Sequence, residues 1–172
     1  MSDLSGVPEE FRRLAELEEE RQHSREGLAE QLSLDSSVAG EEYDRVHSLC
    51  LDVLERMPWQ AVDTLFERRL WVIWIPPGCS TIRRWRAQTG FEQWQVFLDP
   101  GLPKYPDDVA RGLIAHEFAH IVLGHDAGGR ENETAADDLA RSWGFSGEID
   151  ASLRAAYQSP NHSALPERGV NC

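Results

Sequence analysis

Residues 113–125 read LIAHEFAHIVLGH and residues 131–140 read ENETAADDLA. His116 and His120 lie four residues apart, which on a helix sets both imidazoles on one face, a turn apart, where they can grip one metal ion. Glu117 stands beside that pair rather than on it, so its carboxylate is free to take a proton from a water held there. Around the triplet, Leu113, Ile114, Ala115, Phe118, Ile121, Val122 and Leu123 make the helix apolar on most sides. Polar groups in such a helix are costly unless satisfied, so a chemical purpose outweighs the competing reading of two hydrogen-bonded core histidines. With six His and eighteen Glu in 172 residues, chance supplies only about 0.02 such strings.

Two neutral imidazoles do not complete a metal site, because a catalytic zinc ordinarily has three protein ligands and an open position. The second string offers Glu133 at the start of the next helix. Asp137 follows one turn later on the same face, and Ala136 and Ala140 are small enough for close helix packing. Glu133 is therefore the expected third ligand, with Glu131 and Asp137 as alternatives. The competing reading of Glu133 is a solvated charge favoured by the helix dipole. His125 reads as a residue at the C-terminus of the first helix.

The remaining elements follow from periodicity and breakers. Asp107 or Asp108 can cap the helix that runs from about Val109 to His125, and a second helix from about Asn132 to Trp143 ends at Gly144. Upstream, Phe91–Leu98 alternates partially and is separated from Ser80–Arg86 by a turn-like stretch at 87–90, which predicts a hairpin. Leu70–Ile75, the apolar run LWVIWI before Pro76, reads as an interior strand. Between Glu41 and Met57, apolar residues recur at three and four and Pro58 follows, so a helix with a buried face is expected there. Residues 9–32, EEFRRLAELEEERQHSREGLAEQL, form an amphipathic arm whose Phe11, Leu14, Leu17, Leu28 and Leu32 could dock on the core or pair two copies as a homodimer. The divisions are thus 1–40 for the acidic helical arm and linker, 41–158 for the main domain and 159–172 for an irregular tail.

Composition limits the function classes. The chain has 17 basic and 30 acidic residues, a net charge of −13, and residues 1–45 alone contribute −8 from 13 acids and 5 bases. That balance argues against general affinity for nucleic acid or an anionic membrane, where Lys and Arg dominate binding. Trp85 among Arg83, Arg84 and Arg86 is a local exception. It admits stacking on a single strand or an acidic substrate segment, against the plainer reading of a hairpin whose arginines face water. No stretch reaches the roughly 20 apolar residues of a membrane helix, and the first residues carry neither a basic nor an apolar leader region, so a cytoplasmic protein is expected. Cys50, Cys79 and Cys172 are odd in number and lack paired metal-ligand spacing.

HEFAHIVLGH followed by ETAADDLA resembles the gluzincin branch of zinc metallopeptidases, and most closely the small ImmA/IrrE-like and minimal gluzincin peptidases. The resemblance covers roughly residues 93–145. It departs from the metzincin pattern, because His125 lies five residues after His120 rather than six. It implies an α+β, zincin-like fold in which a small twisted mixed sheet packs on an active-site helix and a glutamate helix, with the arm added at the N-terminus. It further implies one Zn2+ per chain on His116, His120 and Glu133, with Asp137 bracing a ligand histidine and Glu117 as the catalytic base. An extended substrate would add to the edge strand carrying Trp94, Val96 and Leu98, and the oxyanion donor would come from Tyr157, His162 or Tyr105.

The function so implied is zinc-dependent hydrolysis of peptide bonds in a peptide or protein substrate. Glu117 takes a proton from the attacking water and delivers it to the leaving amine. A non-catalytic zinc-binding regulatory or interaction module is the alternative from another class. A peptidase held inactive by one of its own arms is a third, in which even Cys172 could reach the metal.

Overall fold

The computed structural model describes residues 41–74, 81–86, 92–98, 101–125 and 129–158, together with Arg13, Glu19, Gln22, His23, residues 26–29 and Leu32 of the N-terminal segment. Helix α1, Glu41–Arg56, begins with Glu41, Glu42 and Asp44 and ends with Arg56, each sign placed where it opposes the helix dipole. Its apolar stripe, Val46, Leu49, Cys50, Val53 and Leu54, is buried as its periodicity predicts. Pro58 then starts α2, Trp59–Glu67, which buries Ala61, Val62 and Leu65. This nine-residue helix has no counterpart in the expectations drawn from sequence.

Three strands follow: β1, Trp71–Trp74; β2, Thr81–Arg86; and β3, Glu92–Leu98. The sheet order is β1-β3-β2. β2 and β3 form the expected antiparallel pair, with Arg86 opposite Glu92 and Thr81 opposite Phe97. β1 pairs parallel to β3, Trp71 opposite Gln95 and Trp74 opposite Leu98. The sheet is therefore mixed, and two expectations are corrected. β1 was expected inside the sheet, yet among the described residues it pairs with β3 alone. The strand expected at the edge, carrying Trp94, Val96 and Leu98, is the centre, because both of its sides are already paired. Those three side chains are 2%, 0% and 0% exposed and fill the core.

A short 3-10 turn, Leu102–Lys104, leads through Pro106 into α3, Asp107–Leu123. Arg45 of α1 holds this entry, donating to the carbonyls of Pro103 and, at 2.9 Å, Tyr105, and pairing with Asp107 at 2.5 Å. The acidic pair Asp107 and Asp108 falls in the first turn of α3 rather than before it. The next helix, α4, spans Arg130–Ala140, and a single wide turn, Arg141–Phe145, with Gly144 at φ 94°, leads into α5, Ser146–Gln158. Arg56 fastens α1 to this corner through Glu148 at 2.6 Å and the ring of Phe145 at 4.0 Å.

α3 lies at the middle, packed against α1, α2, α4, α5, β2 and β3. That explains why its apolar residues occupy nearly every side, with Ile114, Ala115, Phe118, Ala119 and Ile121 all fully buried. Each such large side chain contributes roughly 1.5–3 kcal/mol on leaving water. α5 crosses α3 so closely that a Cβ built on Gly112 would fall 2.6 Å from the carbonyl carbon of Glu148.

The arm also contributes to this core. Leu28 and Leu32 are 0% and 4% exposed, and the His23 ring meets Phe66 of α2 edge-on at 6.4 Å. Both leucines are used within the chain, so pairing of two copies through the arm would fall to Phe11, Leu14 and Leu17, which lie outside the described residues. Among the described residues no helix is long and apolar enough to cross a membrane.

Cys50 faces the core at 1% exposure, and burial pushes its thiol up to about 12. Thiolate is the reactive form, so Cys50 is expected to resist iodoacetamide at pH 8 in the native protein and to react once urea unfolds it. Peptide mass mapping reports this, and equal labelling in both states would contradict the buried position. Cys79 and Cys172 lie outside the described residues.

Candidate metal centre

α3 presents His116 and His120 on the face it turns to α4, and both rings are buried, at 4% and 6% exposure. The small residues Ala136 and Ala140 of α4, both fully buried, let the two helices approach. That approach carries Glu133 and Asp137, one turn apart on α4, onto the histidines. Asp137 Oδ1 lies 2.7 Å from His116 Nδ1. A carboxylate only accepts at neutral pH, so the His116 proton resides on Nδ1 and its Nε2 presents a lone pair.

That lone pair points into a group of further acceptors. His116 Nε2 is 3.2 Å from Glu133 Oε2 and 3.0 Å from His120 Nε2, while Glu133 Oε1 is 3.5 Å from His120 Nε2. With the His116 proton on Nδ1, these contacts are satisfied either by a proton on His120 Nε2 or by a cation held among the three groups. Zinc held at about 2.0 Å by such ligands sets neighbouring donor atoms about 3.3 Å apart around a tetrahedron, which the three observed separations bracket. His116, His120 and Glu133 thus make a group that can hold a metal ion.

The charge balance agrees. Burial alone would push the Glu133 carboxyl up, but the His116 and His120 rings beside it hold it well below the usual carboxylate range. The group therefore stays an anion, and a ligand, at neutral pH. Asp137 at the back of His116 orients that ring and raises its basicity, as outer carboxylates do at metal sites.

Glu117 follows His116 on α3 and is 8% exposed. Asp137, weighed as an alternative ligand, occupies the other nitrogen of His116 and is excluded from that role by its own hydrogen bond. Glu131 is not part of the cluster among the described residues. Tyr105 is 38% exposed and precedes α3. Since Asp107 lies roughly 13 Å along the helix axis from His116 at 1.5 Å per residue, Tyr105 belongs to the far end of α3. Tyr157 is in the last turn of α5, with its side chain outside the described residues, and His162 lies outside them altogether. Trp94, Val96 and Leu98, expected to touch substrate, are core residues of the central strand.

His125 was read as a residue at the C-terminus of the helix, and the structure places it there, directly after the capping Gly124, with a contact the sequence did not show. Gly124 takes the left-handed conformation at φ 79°, its N–H bonding to Ile121 O at 2.9 Å and that of His125 to His120 O at 3.0 Å. This paired closure reverses the chain around a glycine. It swings the His125 ring onto His120, Nδ1 to Nδ1, at 3.0 Å. Burial and the neighbouring His120 hold His125 below the usual histidine range, with Glu133 opposing weakly. The signal in the sequence was the glycine directly before His125.

Compared with models of known protein families, with curated proteins and with solved structures, the chain matches none.

Proposed function

We propose that this chain is a zinc-dependent metallopeptidase of the gluzincin type, with His116, His120 and Glu133 as the metal ligands and Glu117 as the general base. What carries the reading is the convergence of three acceptor groups at 3.0–3.5 Å, with the back of His116 braced by Asp137. Imidazole and carboxylate donors without thiolate, in a site of three protein ligands, are a donor set that suits zinc.

Zinc bound there would supply Lewis acidity and bring a water molecule within reach of deprotonation at neutral pH. The residues do the rest. Glu117 accepts the proton of the attacking water on a carboxylate oxygen and returns it to the leaving amine. His116 and Asp137 keep one ligand ring rigid, and the buried walls of α3 limit stray water. For an extended substrate, the backbone edge belongs to β2, the outer strand packed on α3, because nothing among the described residues pairs there.

Elemental analysis of the purified full chain tests the reading. Wild type is expected to hold about one zinc per chain, while His116→Ala and Glu133→Ala lose it, since each removes one of three ligands. Unchanged zinc in both variants would end the proposal. Zinc held at one equivalent with no peptide cleaved, with or without a chelator, would favour the regulatory module instead.

A further inference from the structure

We propose that His125 is a positioning residue, whose Nδ1 takes up the hydrogen bond from His120 Nδ1–H when metal displaces the proton from His120 Nε2, and so supports the tautomer in which His120 binds metal. The inference rests on the reading of His120 as a ligand and adds a residue to it.

The two Nδ1 atoms, 3.0 Å apart with the rings inclined at 63°, share one proton, because two lone pairs or two N–H groups at that distance repel. Two registers satisfy this. In one, the His120 proton sits on Nε2 and points inward at His116 Nε2 and Glu133. The site is then closed by hydrogen bonds, His125 is the donor, and His120 has no lone pair for a metal. In the other, the His120 proton sits on Nδ1 and points outward to His125, and all three inner groups offer lone pairs. Only the second register binds metal.

His116 has its tautomer set by Asp137, an obligate acceptor. His120 has no carboxylate at its back among the contacts described, and the group found there is a neutral ring that can accept. The backbone makes this placement reproducible. The left-handed Gly124 and the His125 N–H to His120 O bond close the turn on the same residue whose side chain is braced. His125 is not itself a ligand, since its ring meets the nitrogen of His120 that faces away from Glu133.

Zinc affinity of the full chain, by competition with a chromophoric chelator, tests this in His125→Phe, His125→Ala and His125→Asn. Phe keeps the ring and loses the acceptor, Ala loses both, and Asn restores an acceptor at a similar reach. His125→Phe and His125→Ala are expected to bind zinc about 10–100-fold more weakly, with His125→Asn near wild type. Apo proteins should melt alike. In cobalt-loaded samples the visible absorption should change in Phe and return in Asn. Wild-type affinity in Phe and Ala would overturn the proposal, and so would an Asn variant as weak as Phe, which would reduce His125 to packing. If instead His116→Ala binds zinc as tightly as wild type, the metal site itself is wrong and the role of His125 falls with it.

Discussion

Glu117→Gln is expected to lower peptide hydrolysis by about 10²–10⁴-fold while zinc stays at the wild-type level. The substitution is nearly isosteric, so the packing of α3 is unchanged, but a carboxamide cannot take a proton from water. Because Glu117 is 8% exposed and glutamine keeps its shape, the variant should melt close to wild type. Loss of activity, retained metal and retained stability together separate a base from a ligand, whose loss would empty the site, and from a structural residue, whose loss would lower the melting temperature. Hydrolysis of an unfolded protein by both forms, with chelator controls, gives the answer. A Glu117→Gln variant that cuts at the wild-type rate would remove Glu117 from the chemistry.

The parts of this fold that were legible in the sequence are those whose partners lie close along the chain. α1 announces itself by periodicity and by Pro58, α3 by its long apolar run, and the β2–β3 hairpin by its short connection. The pairs His116–His120 and Glu133–Asp137 were legible because the intervals of four within α3 and within α4 place residues on one helix face without any tertiary knowledge. What depends on distant contact was not. That β3 lies between β1 and β2 follows from a parallel pairing across more than twenty residues, and nothing local to FEQWQVFL distinguishes a centre from an edge. α5 was missed because SGEIDASLRAAYQ has small and polar residues where a clear stripe would be, and its burial comes from close approach rather than bulk. His125 escaped for a related reason, since counting residues along a straight helix cannot show that a left-handed glycine folds the next ring back.

Gly112→Val is expected to destabilise the chain by about 1–3 kcal/mol or more. In most helices Gly→Val costs little or even helps, because glycine is the poorer helix former. Here the position decides otherwise. A Cβ at 112 would come within 2.6 Å of the Glu148 carbonyl carbon, nearer still to its oxygen, and within 3.2 Å of Ile149 N. These are backbone atoms at the start of α5 and cannot rotate aside as a flexible side chain would. Relief requires α5 to move off α3, which would disturb Ile149 and Phe145, both fully buried, and the Arg56 contacts at the same corner. Gly112→Ala introduces the same Cβ and should show most of the effect, whereas Gly147→Ala, where a Cβ meets nothing within 4 Å, should show almost none. Urea unfolding of the three variants measures this, and a Gly112→Ala protein as stable as wild type would mean that α3 and α5 do not cross as closely as described. Gly112 precedes His116 by one turn, so a displaced α5 would also disturb the helix that carries both ligand histidines. Zinc affinity is therefore expected to fall in parallel with stability in the Gly112 variants and to remain unchanged in Gly147→Ala.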